Sequence, residues 1–267
     1  MDLKILVCCH NQCVLPSDVF YLNIQVGTAL SSLNLNMHKD NEGDNISSKN
    51  GTYCELTGLY WAWKNLKCDY IGLCHYRRFF DFRDSKSINR EPIHVRPNDF
   101  PLVKISVIKK ILEKSDIILP GKIYLSTSVG NAYSISHSGI DLKITETVLK
   151  ELYPEFWKSY NYIMNNNNSY SPCNMFVMNK KTFDNYCEWL FTILFEVEKR
   201  VCLDSYDKYQ QRIFGFLSER LFNVYIHHHN LKITYRPIVS MIEKKNVSRI
   251  YEFAHRIKCN FCFWLQK

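Results

Sequence analysis

The sequence predicts an α/β fold, a central mixed sheet flanked by helices. Short apolar runs recur at residues 4–9, 69–74, 116–120 and 175–178, each ended by polar or turn-forming residues. Between them lie segments whose apolar positions repeat every three or four residues. With 267 residues, 46% of them hydrophobic, the chain can bury one sizeable core. One principal domain over residues 1–245, followed by an amphipathic helix over 246–267, is the expected organisation.

Taken in order, residues 4–9 form a buried first strand that stops at His10-Asn11-Gln12. Residues 34–51 are polar and turn-rich, which places a long surface loop there. Leu56, Leu59, Tyr60, Trp63 and Leu66 recur at helical spacing and predict a helix over 53–66 with one buried face. Residues 69–74 read as a second strand, whose end delivers His75-Tyr76-Arg77-Arg78 into a loop. Ligands of open α/β sheets bind beyond the carboxyl ends of strands, so this tetrapeptide occupies a favoured functional position. A third strand at 116–120, a helical stretch over 140–163, a polar loop at 165–168 and a fourth strand at 175–178 follow. Helices over 181–199 and 206–225 and a late strand at 233–235 complete the pattern. In the last segment Ile250, Phe253, Ile257, Phe261 and Trp264 recur at helical intervals, with Arg249, Arg256, Lys258 and Lys267 alongside. A helix docked on its own domain and an interfacial amphipathic helix both fit that pattern.

The net charge of +8 comes from 34 basic residues scattered among 26 acidic ones. Such scatter suits an anionic small ligand and argues against a nucleic-acid partner. Eleven cysteines, an odd number set mainly in apolar runs, pack as small hydrophobes and point to a reducing compartment. The first residues turn polar at His10, so they lack a signal peptide's apolar stretch. No run reaches the roughly eighteen apolar residues of a spanning helix. A cytoplasmic protein is expected.

Arg77 and Arg78 offer two permanently charged planar forks that match phosphate oxygens. Surface pairing with Asp81 and Asp84 is the competing reading. The Asp-x-Asp triplet with which metal-using sugar transferases hold a divalent ion is absent from the sequence. Asp40, Glu42 and Asp44 alternate in a loop, which fits either a hard-metal site or a solvated acidic turn. Asn45 and Ser47 follow with hydrogen-bonding side chains. Glu55, on the apolar face of the predicted helix, requires a partner. His75 serves equally as a base or as a packed ring. Glu219, between Leu217 and Leu221, fits a general base or a salt bridge with Arg212 or Arg220. His227-His228-His229 reads as a surface loop, since three adjacent histidines do not aim at one ion. Cys259-x-x-Cys262 with His255 is half a zinc pattern. Gly-x-Gly-x-x-Gly, Walker and Gly-x-Ser-x-Gly motifs are absent, which argues against dehydrogenase, kinase and α/β-hydrolase readings.

Long ordered strings carry a family resemblance. Asp44-Asn45-Ile46-Ser47, the run from Tyr53 through Asn65, and Tyr70-Ile71-Gly72-Leu73-Cys74-His75-Tyr76-Arg77-Arg78 resemble the bacterial family labelled domain of unknown function 4422. So do Asn174-Met175-Phe176-Val177-Met178 and the run from Phe214 through Leu221. The resemblance implies a GT-A-like, Rossmann-like glycosyltransferase of capsule, exopolysaccharide or O-antigen synthesis, with galactose or galactofuranose donors. A UDP-hexose donor and a lipid-linked oligosaccharide acceptor at the inner membrane face, with peripheral membrane association, are the expected partners. On that reading Arg77 and Arg78 hold the donor diphosphate, Glu55 and Tyr76 contact the donor, and His10, Asp44 and Asn45 lie near the nucleotide. Asn174 falls on the acceptor side, Glu219 is the leading base and His75 the second. The sequence has His10-Asn11-Gln12 where family members often carry His-Lys. Guanidinium groups then replace a metal, with Mg²⁺ or Mn²⁺ as the alternative. A sugar phosphotransferase and a noncatalytic assembly protein are the rival readings.

Overall fold

The structure, a computed structural model, describes residues 1–83, 93–94, 104–241 and 249–266. In chain order the first elements are β1 (Leu3–Cys9), β2 (Tyr21–Gln25), β3 (His38–Lys39), α1 (Asn50–Tyr53) and α2 (Leu56–Asn65). Next come β4 (Tyr70–His75), β5 (Arg78–Phe80), β6 (Ile93–His94), α3 (Ile105–Leu112), β7 (Ile117–Pro120) and β8 (Ile123–Tyr124). They are followed by α4 (Val129–Ser136), α5 (Gly139–Leu152), α6 (Trp157–Asn165), β9 (Ser169–Tyr170), β10 (Phe176–Asn179) and α7 (Lys180–Glu198). The last are α8 (Ile213–His228), β11 (Ile233–Arg236), β12 (Ile238–Ser240) and α9 (Arg249–Trp264).

These elements fall into two compact units. The first comprises Met1–Gly121, Asn174–Asn185 and Leu231–Val247, and the second Lys122–Cys173, Tyr186–Asn230 and Ser248–Lys267. This division differs from the expected block ending at residue 245. The chain enters each unit more than once, so no single stretch of linker composition marks a boundary.

The first unit is the expected mixed α/β layer, with strand order β11-β7-β10-β4-β1-β2-β3. β1 runs parallel to β2 and β4, and β10 is inserted antiparallel between β4 and β7. β5 turns back from β4 and pairs with β12. Ile5, Leu6, Val7, Ile71, Leu73 and Val177 are fully buried, as strands covered on both faces require. A Cβ on Gly72 would lie 2.7 Å from the Phe176 carbonyl oxygen. Glycine there lets β4 and β10 approach each other.

Three predicted elements differ from the observed ones for identifiable reasons. The helix over 53–66 is broken at Cys54, whose φ of 52° and ψ of −130° cannot continue α1, so α2 restarts after Glu55. The stretch over 140–163 splits at Pro154, which has no N–H for a helix ladder and begins a short 3₁₀ turn before α6. The stretch over 206–225 becomes α-helical only at Ile213, after a 3₁₀ turn over Gln210–Arg212. Before it, the Asp207 carboxylate accepts from the Tyr209 and Gln210 amides at 2.9 and 2.8 Å and fixes a turn.

The second unit is mostly helical, with its core on Tyr133, Leu149, Tyr160, Leu190, Phe214, Leu217 and Phe222. Asn223 on α8 holds both the amide and the carbonyl of Ser171, at 2.9 and 3.0 Å. The buried Arg220 guanidinium lies 5.3 Å from the Tyr133 ring and 4.8 Å from that of Tyr170. His137 stacks on Phe216 at 4.0 Å, and its Nδ1 is 3.1 Å from Gln210 Oε1. Desolvation, aided by Arg220, holds the His137 pKa below the ordinary value of 6.5 despite the Gln210 bond. The folded protein therefore declines a proton that the unfolded chain accepts, and stability falls as pH drops below 6.5. Urea midpoints at about pH 7.5 and about pH 5.5 should differ in that direction, and the difference should shrink in His137→Asn.

Candidate active site

The carboxyl end of the sheet brings distant segments together. β1 and β4 finish side by side, with Cys8 opposite His75. β10 pairs with β4 at Phe176↔Leu73, and extending that antiparallel register brings Asn174 level with His75. α2 starts at the same edge, where Cys8 Sγ lies 3.8 Å from the Glu55 carbonyl oxygen. The Asn174 side-chain amide then donates to Glu55 Oε1 at 2.8 Å, linking residues 119 positions apart. This bond supplies the partner that the Glu55 carboxylate needs.

The turn after β4 completes the edge. The Tyr76 amide donates to the Cys8 carbonyl at 3.3 Å. Its ring meets His10 edge-on at 4.9 Å, and the Arg77 guanidinium lies 5.0 Å from the same ring. His10, Glu55, His75, Tyr76, Arg77 and Asn174 are thus one neighbourhood, and Arg78 opens β5 next to it. Arg77 and Arg78 are both exposed. Among the described residues neither forms an ion pair. Asp81, the proposed surface partner, is instead taken by Arg83 through bonds of 2.9 and 2.8 Å. Burial pushes the Asp81 pKa up, but those bonds outweigh it and hold the carboxyl below its usual range. Asp84 lies outside the described residues.

Backbone strain concentrates at this edge. Cys54, Cys173 and Asn174 have φ of 52°, 72° and 52°, and they directly flank the Glu55–Asn174 bond. Left-handed conformations of non-glycine residues cost about 1–3 kcal/mol each and persist where the surroundings impose them. At Cys54 the imposing structure is a network. Asn50 Nδ2 donates to the Cys54 carbonyl at 2.7 Å and to Thr57 Oγ1 at 3.0 Å. Thr57 Oγ1 donates to Asp40 at 2.6 Å. Asp40, fully buried, also accepts from the Gly27 and Thr28 amides and the Thr28 and Ser47 hydroxyls at 2.5–3.1 Å.

Asp40 is therefore an internal anchor, neither the solvated acid nor the loop metal ligand of the two expected readings. The stretch over 34–51 is a surface stretch as expected, with only Asp40 and Ser47 buried, and β3 and this anchor tie it down. Among the described residues no group of three or more His, Cys, Asp or Glu side chains is placed to hold a metal. Asp44 and Asn45 are bonded within and beside their own loop. Asp44 is bonded through its amide and carbonyl to Asn65, and Tyr60 donates to its carboxylate at 3.3 Å. Asn65 ends α2, about 14 Å along the helix from Leu56 at 1.5 Å per residue. Asn45 Nδ2 serves its own loop, donating to the Gly43 and Asn41 carbonyls.

Glu219 lies on α8 in the second unit, where its Oε2 accepts from Arg220 Nη1 at 3.1 Å. This is the salt bridge that competed with a base role. His227 and His228 are the last residues of α8, not a loop: His227 Nδ1 is 2.9 Å from Ser159 Oγ and His228 stacks on Phe156 at 3.7 Å. Cys259 is buried on α9, 3.7 Å from the His255 ring. The strained residues Cys54 and Cys173 had no sequence signal. The Asp40 network had only a weak one, the small hydroxyl residues Thr28, Ser47 and Thr57 spread over the first third of the chain.

The model of the family described as domain of unknown function (DUF4422) matches residues 4–230. The solved apo structure of WbbM, described as a bifunctional glycosyltransferase, is similar to this chain at 27% identity with a TM-score of 0.84. The match covers 93% of this chain and 48% of that one, so the chain spans about half the length of its solved relative. No curated protein matches.

Proposed function

The chain belongs to the family described as domain of unknown function 4422, and from that premise we propose that it is a glycosyltransferase using a nucleotide-sugar donor. The observation that carries the reading is the Glu55–Asn174 bond at the carboxyl edge of β1 and β4, beside the His75–Arg78 turn. The likeness to a bifunctional glycosyltransferase supports it. A diphosphate leaving group develops negative charge as the sugar bond breaks, and fixed cations stabilise that charge. Arg77 and Arg78 supply them, with Tyr76 holding Arg77 by ring contact and His10 bracing Tyr76. Glu55, fixed by Asn174, deprotonates the acceptor hydroxyl, with His75 as the neighbouring alternative. Glu219, engaged by Arg220, is the weaker candidate for that role.

The finer reading is transfer of a galactose-type hexose from a UDP-sugar to a lipid-linked oligosaccharide in the cytoplasm, during capsule, exopolysaccharide or O-antigen synthesis. The test is a screen of UDP-, GDP- and dTDP-sugars for nucleotide release, with and without a chelator. Release from a UDP-hexose that survives the chelator is the expected result; no release from any donor, or release abolished by the chelator, contradicts the mechanism. Arg77→Lys should cut turnover by about tenfold or more without lowering the melting midpoint, because a point charge does not reproduce the planar fork. Steady-state kinetics beside thermal denaturation separate the two effects.

A further inference from the structure

The C-terminal helix α9 is docked with its apolar side outward. Phe253, Ile257, Phe261, Trp264 and Leu265 are 53–68% exposed along it. At about 100° per residue, Phe253, Ile257, Phe261 and Trp264 share an arc of about 80°, with Leu265 and Lys258 on its margin. The rest of its circumference holds the helix to the second unit. Asn168 Nδ2 donates to Asn260 Oδ1 at 2.9 Å, Gln266 Nε2 donates to the Ser126 carbonyl at 3.2 Å, and Arg256 lies 4.6 Å from the Tyr124 ring. Cys259 is the buried residue on that side. A surface helix of a globular domain normally turns its apolar stripe to the core; this one is pinned in the opposite sense.

We propose that this face is a docking surface for an anionic lipid bilayer, into which the four arc residues and Leu265 insert at headgroup depth. Charge selects the occupant. Lys258 stands at the margin of the arc, and residues 253–266 hold no aspartate or glutamate. A second copy packed through the same face would offer Lys258 no carboxylate from residues 253–266, whereas an anionic headgroup layer complements it. The apolar row from Phe253 to Leu265 extends about 18 Å at 1.5 Å per residue, a length that lies along a membrane surface. Among the described residues no helix is long and apolar enough to cross a membrane, so contact through this face is peripheral. The inference stands apart from the transfer reading, because lipid binding is measured without donor or acceptor.

The experiment is flotation of the full chain with vesicles of equal parts phosphatidylcholine and phosphatidylglycerol, and with vesicles of phosphatidylcholine alone. Wild type should float with the mixed vesicles, and raised salt should weaken the binding. F261S/W264S should bind about tenfold or more weakly, since each change removes apolar area that the bilayer would bury. Both residues are exposed, so circular dichroism and the melting midpoint should not change. K258E should lose affinity for the mixed vesicles only. Failure of wild type to float, or wild-type flotation of F261S/W264S, overturns the proposal. It is also overturned if light scattering shows a dimer that F261S/W264S dissociates, since the occupant is then a second copy.

Discussion

Glu55→Gln is expected to lower the rate of sugar transfer by about a hundred- to ten-thousandfold, the usual contribution of a positioned general base. The substitution keeps the volume and leaves a carbonyl oxygen to accept the 2.8 Å bond from Asn174. The left-handed backbone at Cys54 and Asn174 keeps its support, so the melting midpoint should stay within about 2 °C of wild type. What is lost is the ability to take a proton. Turnover should therefore fall while the Michaelis constant for the donor changes little. Asn174→Ala, which frees the carboxylate to rotate, should give a smaller fall in turnover. A Glu55→Gln enzyme with near-normal turnover would remove Glu55 from the chemistry, and His75→Ala would then be the variant to measure.

The largest effect on stability is expected from Asp40→Ala. Five donors converge on this carboxylate: two backbone amides and three hydroxyls. Truncation leaves several of them buried without an acceptor, which costs about 3–5 kcal/mol in total, near the upper end for a single substitution. A fall in melting midpoint of about 10 °C corresponds to that loss. The consequence reaches the active edge, because Asp40 holds Thr57, Thr57 and Asn50 hold the Cys54 junction, and that junction aims Glu55. Donor turnover in Asp40→Ala should fall even below the new melting midpoint. A midpoint within about 2 °C of wild type would show that water replaces the carboxylate and that the anchor is dispensable.

Much of the sheet was legible because its strands are uninterrupted apolar runs. Residues 4–9 and 69–74 announce β1 and β4 directly, with β4 running on through His75. The need of Glu55 for a partner was also legible, since a carboxylate among apolar helix positions demands one. The identity of that partner was not. Asn174 is 119 residues away, and only the antiparallel insertion of β10 beside β4 brings it level with His75. A pairing of that kind depends on register, which local pattern does not carry. The break at Cys54 was hidden for a different reason. The apolar period runs straight through it, and cysteine carries no turn signature. Asp44 and Asn45 are expected near the nucleotide only through a string that resembles the family's. The length of α2 then sets Asp44, bonded to Asn65, at the far end of that helix. Asp40 reads as a surface acid in any loop scan, and only the hydroxyls folded around it reveal an internal anchor.

Everything proposed for the site depends on the exposed cationic turn at the end of β4 receiving a diphosphate. The most direct measurement is calorimetric titration of UDP and of uridine into wild type and into Arg77→Ala. If the guanidinium holds the diphosphate, UDP should bind Arg77→Ala about tenfold to a hundredfold more weakly than wild type, the loss expected for a charge-assisted contact, while uridine binds both equally. Equal UDP affinity in the two proteins would contradict the account.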